Sequence, residues 1–139
     1  MKAFETTTGY VVRLDLDEEI LTTLTDFVLA EKIEGAIIQG IGAVKESVLG
    51  YFDVHDMAYR EQAFAEDMEL VSFLGNLTWA DGDPIIHAHV LLSGNDFVAR
   101  GGHLFSSKIA VTGEFSLQPT GRRVQRALDE RTGLKLMAR

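Results

Sequence analysis

Apolar positions change their period along this chain, and each change marks the edge of an element. Gly9-Tyr10-Val11-Val12-Arg13-Leu14-Asp15-Leu16 alternates well enough to predict a first strand. Asp17-Glu18-Glu19 then supplies a cap and an acidic first turn, and Ile20, Leu21, Leu24, Phe27 and Val28 recur at helical spacing up to a stop at Gly35. This is the one convincing long helix, and its apolar stripe reads as a core face laid on a sheet.

Beyond it the pattern is strand-like to the end. Ala36-Ile37-Ile38-Gln39 and Ser47-Val48-Leu49-Gly50-Tyr51-Phe52 are short β runs, separated by a predicted chain reversal at Gly40-Ile41-Gly42-Ala43. A phosphate-cradling loop would need a helix after those glycines, and a strand follows instead. Further strands are predicted through Tyr59–Phe64, Met68–Trp79, a hairpin around residues 85–104, and Lys108–Leu117, with an extended piece near Arg122–Leu128. The Asp81-Gly82-Asp83-Pro84 turn sets Asn76 opposite His87 and Leu74 opposite His89. No linker or repeat divides the chain, so residues 1–139 are expected to form a single domain.

Composition narrows the chemistry. The chain has no cysteine, which excludes disulfides and thiolate ligands and leaves histidine and carboxylate to carry any metal site. No stretch approaches the apolar run of a membrane span or a signal core, so a cytoplasmic location is expected. The net charge of −8 is uneven, because residues 122–139 hold six Lys or Arg against two acids. An acidic body repels phosphate, so direct DNA binding is disfavoured, and the basic tail reads as a solvated edge or a complement to an acidic neighbouring subunit.

Three of the four histidines cluster, in Ile85-Ile86-His87-Ala88-His89-Val90 and Gly101-Gly102-His103-Leu104. On a strand, residues i and i+2 share a face, which puts His87 beside His89. If Ser93-Gly94-Asn95-Asp96 makes a tight turn with Leu92 facing Phe97, strict pairing sends His103 to the other face. A one-residue bulge at Gly101-Gly102 would restore its parity and set His103 opposite His87, so a bulge is predicted there. Three neutral imidazoles around an open position suit zinc or another borderline divalent metal. Hydrogen-bonded, partly buried histidines without a metal are the competing reading. Asn76, Glu114 and Glu69 are the polar candidates for contacts around such a site, and no catalytic residue is assigned.

Taken in order, Val11-x-Arg13-Leu14, Gly40-Ile41-Gly42-Ala43, Glu69-Leu70-Val71-Ser72-x-x-Gly75-Asn76, Asp81-Gly82-x-Pro84, His87-Ala88-His89-Val90 and Gly101-Gly102-His103-Leu104 resemble the plants-and-prokaryotes conserved (PPC) domain family. The resemblance covers about 11–117, with 118–139 as a closing segment. It implies an α+β fold, a mainly antiparallel sheet of about seven strands with one principal helix, assembled as a homotrimer. It also implies a metal, zinc-like, on His87, His89 and His103; the first expectation is that such a site binds or transforms a small molecule, and the alternative is a DNA-binding or transcription-associated regulatory protein acting through the trimer or a partner. Plant relatives place the domain behind an AT-hook that enters the DNA minor groove. The arginine-glycine-arginine-proline core of that hook is absent here, and Asp67-Met68 stands where the plant proteins carry an Arg-Phe partner contact. Phe52, Phe64, Phe73, Trp79 and Phe105 are more apolar strand surface than one helix can cover, so an uncovered face is expected to be a subunit interface.

Overall fold

The structure is a computed structural model and describes residues 1–138. Nine strands and one helix follow in the order β1 (Lys2–Thr6), β2 (Gly9–Leu14), α1 (Ile20–Ala30), β3 (Ala36–Asp53), β4 (Ala58–Phe64), β5 (Met68–Ala80), β6 (Asp83–Ser93), β7 (Ala99–Pro119), β8 (Gln125–Leu128) and β9 (Lys135–Ala138). All belong to one mixed, mainly antiparallel sheet, in which the β5–β8 contact is the parallel pair. The sheet thus has two strands more than the sequence suggested. Lys2–Thr6 pairs with β2, and the tail folds into the β8–β9 hairpin.

Helix α1 begins as its sequence dictates. Glu19 is the N-cap, its carboxylate accepting from the Thr22 backbone N–H at 2.7 Å and from that of Ser107 at 3.2 Å. Ile20, Leu24, Phe27 and Val28 are buried, packing with Leu14, Phe73, Phe115 and Ile109 into the single core. The cap bond to Ser107 and a backbone pairing between Glu19 and Lys108 tie the start of the helix to β7.

The expected chain reversal at Gly40–Ala43 does not occur. β3 runs unbroken from Ala36 to Asp53, with a register irregularity against β5 between Gly40 and Gly42. The glycines are needed for close packing: a Cβ at Gly40 would enter the Phe115 ring, and one at Gly42 would meet the Thr112 carbonyl oxygen. β7 is likewise one long strand, where two segments were expected. Because β3 pairs with β5 and β7, and β6 pairs with both β5 and β7, these four strands close a ring of pairings. The β6–β7 pairing ends at His89–His103, and beyond it the two strands part.

Candidate metal centre

Along β6, Ile86, Ala88, Val90 and Leu92 point into the core, so the alternating residues 85, 87, 89 and 91 stand on the outer face. Asn76 lies opposite His87 and Leu74 opposite His89, as the Asp81–Pro84 turn requires. The other hairpin departs from expectation. Ser93 pairs with Ala99 and Leu92 with Arg100, so residues 94–98 form the loop and the register runs without a bulge through Gly101 and Gly102.

That loop is set by Asp96, which accepts from the Val98 N–H at 3.1 Å and forms an ion pair with Arg100, while Phe97 adopts φ 58° and donates to the Gly94 carbonyl at 3.0 Å. Leu92 therefore faces Arg100 and not Phe97, a shift of three residues. An odd shift inverts parity, so the loop brings His103 to the histidine face with no bulge, and His103 pairs with His89 rather than with His87. The diglycine has another cause: a Cβ at Gly102 would lie 2.7 Å from the Gly50 carbonyl oxygen, and one at Gly101 would lie 2.8 Å from that of Val90.

The three imidazoles converge. One nitrogen from each lies within 4.8 Å of the others, and the ring centroids are 5.3 Å apart for His87–His89, 5.0 Å for His87–His103 and 5.5 Å for His89–His103. His87 and His103 are half-buried and His89 is exposed. Tyr59 of β4 and Phe105 wall the His103 ring, with centroids 5.2 and 5.0 Å away. Gly50 makes room for both, since a Cβ there would enter the Phe105 ring and come within 2.9 Å of Tyr59.

Burial, then the neighbouring His103, Arg126 and His89, pushes His87 down to about 4. Burial, His89 and Arg126 lower His103 as well. Both rings are therefore neutral near pH 7, the form in which imidazole offers a lone pair to a cation. His103 Nδ1 is buried without a hydrogen-bond partner among the described residues, which a cation or water would relieve. Donor type, spacing and this orphaned nitrogen fit a divalent metal of the zinc class.

Arg126, on β8, belongs to the closing segment that the family resemblance takes in, but sequence reasoning gave it no place at the site. Its Nε donates to Thr78 Oγ1 at 2.7 Å, Nη1 to the Lys135 carbonyl at 2.9 Å, and Nη2 to Asn76 Oδ1 at 3.3 Å and His87 Nδ1 at 3.2 Å. A guanidinium only donates, so in this metal-free arrangement His87 Nδ1 carries the lone pair and Nε2 the proton, and ligation of a cation by His87 would release the Arg126 contact. Asn76 thus reaches the site by holding Arg126. Glu114 does not join it: it lies opposite Arg13 and Ile41, roughly 36 Å along β7 from His103 at strand rise, in a groove with Val11, Gln39 and Val71. Glu69 pairs with Ala43 and Ser93, also away from the histidines. Where β6 and β7 part, a pocket of about 310 Å³ opens between His87, His103, Tyr59, Phe105, Arg126 and the β8–β9 hairpin, with Leu21, Ile86 and Leu104 on its walls.

No curated protein matches the sequence. Among solved structures, a metal-containing protein of Archaeoglobus fulgidus is 37% identical, with each chain covering 100% of the other and a TM-score of 0.87. A plant- and prokaryote-conserved (PPC) protein of Pyrococcus horikoshii is 35% identical over 94% of this chain and 90% of its own, with a TM-score of 0.86. A protein of Bacteroides thetaiotaomicron described as a candidate DNA-binding protein is 28% identical over 99% and 96%, with a TM-score of 0.94. The profile of the Plants and Prokaryotes Conserved (PCC) domain matches residues 1–120, and the chain belongs to that family.

Proposed function

We propose that the protein is a metal-dependent small-molecule-binding member of this family, holding a divalent cation, zinc by preference, on His87, His89 and His103. The observation that carries this reading is the convergence of three imidazole nitrogens within 4.8 Å on one sheet face. The metal-containing Archaeoglobus relative supports it. A cation held by three neutral histidines has an open position, and it would supply Lewis acidity to a group entering the adjoining pocket. In that pocket Arg126, held from behind by Asn76, would orient polar groups, while Tyr59 and Phe105 wall off one side.

Elemental analysis of the purified protein tests the reading. One equivalent of metal per chain is expected, and less than a tenth of that in a His87→Ala, His103→Ala double variant. Equal traces in both would leave hydrogen-bonded histidines as the better account.

DNA binding, the description the Bacteroides protein carries, has less support in this chain. Much of the tail's positive charge is engaged internally: Arg123 pairs with Glu34 and lies 3.8 Å over the Trp79 ring, Lys135 pairs with Asp81, and Arg126 faces the histidines. Arg139 lies outside the described residues. A salt-dependent mobility shift with duplex DNA would restore that reading.

A further inference from the structure

The charge of the centre is unbalanced, and the imbalance identifies what enters it. The ligand set is three neutral imidazoles, so a bound divalent cation keeps its full charge. Arg126 adds a guanidinium that contacts one of those rings. Among the described residues no carboxylate pairs with Arg126, and the converging donor group contains no acid. Two cationic groups in a partly buried pocket call for an anion between them.

Arg126 is prepared to hold one. Thr78, the Lys135 carbonyl and Asn76 take three of its five N–H groups and fix the plane of the guanidinium; one N–H on Nη1 has no acceptor among the described residues, and the Nη2 N–H that meets His87 Nδ1 is released when that ring ligates a cation, which leaves one donor on each terminal nitrogen. Thr78 is itself buried and donates to the Ile85 carbonyl at 3.3 Å, so the anchor is rigid. A planar fork fixed in this way suits a carboxylate. Apart from Lys135, whose ammonium is paired with Asp81, the remaining walls are mostly apolar, with Leu21, Ile85, Ile86, Leu104 and Phe105 among them, and so suit a short hydrocarbon body.

We infer that the pocket takes a small carboxylate with an apolar tail, its charged end held by Arg126 beside the three-histidine centre and its tail against Tyr59 and Phe105. This rests on the metal reading above and deepens it by naming the ligand class and the residue that selects it.

The test uses cobalt(II)-reconstituted full-length protein, with butyrate as probe, butyramide as its neutral isostere and inorganic phosphate as the competing anion. Butyrate is expected to change the visible cobalt band saturably, with butyramide at least tenfold weaker and phosphate weaker than butyrate. Arg126→Gln should retain one metal per chain and weaken butyrate at least tenfold, and Arg126→Lys should recover only part of the loss because it lacks the fork. The butyrate–butyramide comparison needs no variant, so it decides the matter even if Arg126→Gln folds poorly. Equal binding of butyrate and butyramide, or undiminished butyrate binding in metal-loaded Arg126→Gln, overturns the inference alone. Tighter binding of phosphate overturns the carboxylate assignment. A wild-type protein that takes up no cobalt overturns the metal reading and this inference with it.

Discussion

The local conflict at this centre is between like-charged rings. Protonated His87 and His103 repel each other across this cluster, and burial adds to the cost for His87. With a folded pKa near 4 and an unfolded value near 6.5, the unfolded chain takes the proton first. His87's contribution to the stability of metal-free protein is therefore complete above about pH 6.5, is lost as pH falls towards 4, and changes little below. The loss is at most about 3 kcal/mol at 1.36 kcal/mol per pKa unit, reduced by the water that reaches the pocket. Urea denaturation of stripped protein at pH 7 and 4.5 measures it, and His87→Asn should flatten the dependence. The glycines beside the histidines set a second limit. A methyl at Gly102 meets the Gly50 backbone oxygen, which cannot swing aside, so Gly102→Ala is expected to cost about 1–3 kcal/mol and to weaken metal uptake. The diglycine was legible in the sequence as a place where the strand needs no side chains. Its cause, the approach of β3 from the side, was not, because one strand's sequence does not reveal its neighbour's backbone.

Elements were legible where the signal was local. Helix α1 starts at the acidic cap and stops before Gly35, and the Asn76–His87 and Leu74–His89 pairings follow from a tight turn. Glu19→Ala removes the helix cap and the bond to Ser107 together, and should lower stability by about 1–2 kcal/mol in thermal or urea unfolding without displacing the histidines. Continuity of long strands was not legible. Glycine punctuates both turns and close-packed strands, and at Gly40 the arbiter was Phe115, whose position depends on long-range pairing. The 94–98 loop shows the same limit: Gly94 and Asn95 signal a turn, yet Asp96, by bonding Val98 and Arg100, lengthens it and so decides which face His103 takes. The two errors in the hairpin, a turn too short and a bulge too many, compensated, so the converging trio was foreseen through a register the chain does not use.

At the scale of the molecule, the outer sheet face is rich in apolar residues. Val111 is 70% exposed, Leu74 58%, Ile41 57% and Val71 51%, while helix α1 is committed to the core. Solvent-facing aliphatic side chains on several neighbouring strands favour burial against other copies, in keeping with the homotrimer that the family resemblance implies. Light scattering at micromolar concentration should give three times the chain mass, and Ile41→Asp with Val111→Asp should reduce it towards one; a monomeric wild type would contradict the assembly. The β8–β9 hairpin carries a different consequence. It is tied to the body by the parallel pairing at Trp79–Gln125, by Arg126 on Thr78 and Asn76 and by the Lys135–Asp81 ion pair, and it lies past residue 120, where the family profile stops, although the Archaeoglobus relative matches the chain throughout. The three histidines thus stand on the long strands and the arginine beside them on the closing hairpin, so under the readings proposed above an exchange of residues 121–139 for another tail is expected to change which anion is held while cation uptake on the histidines persists.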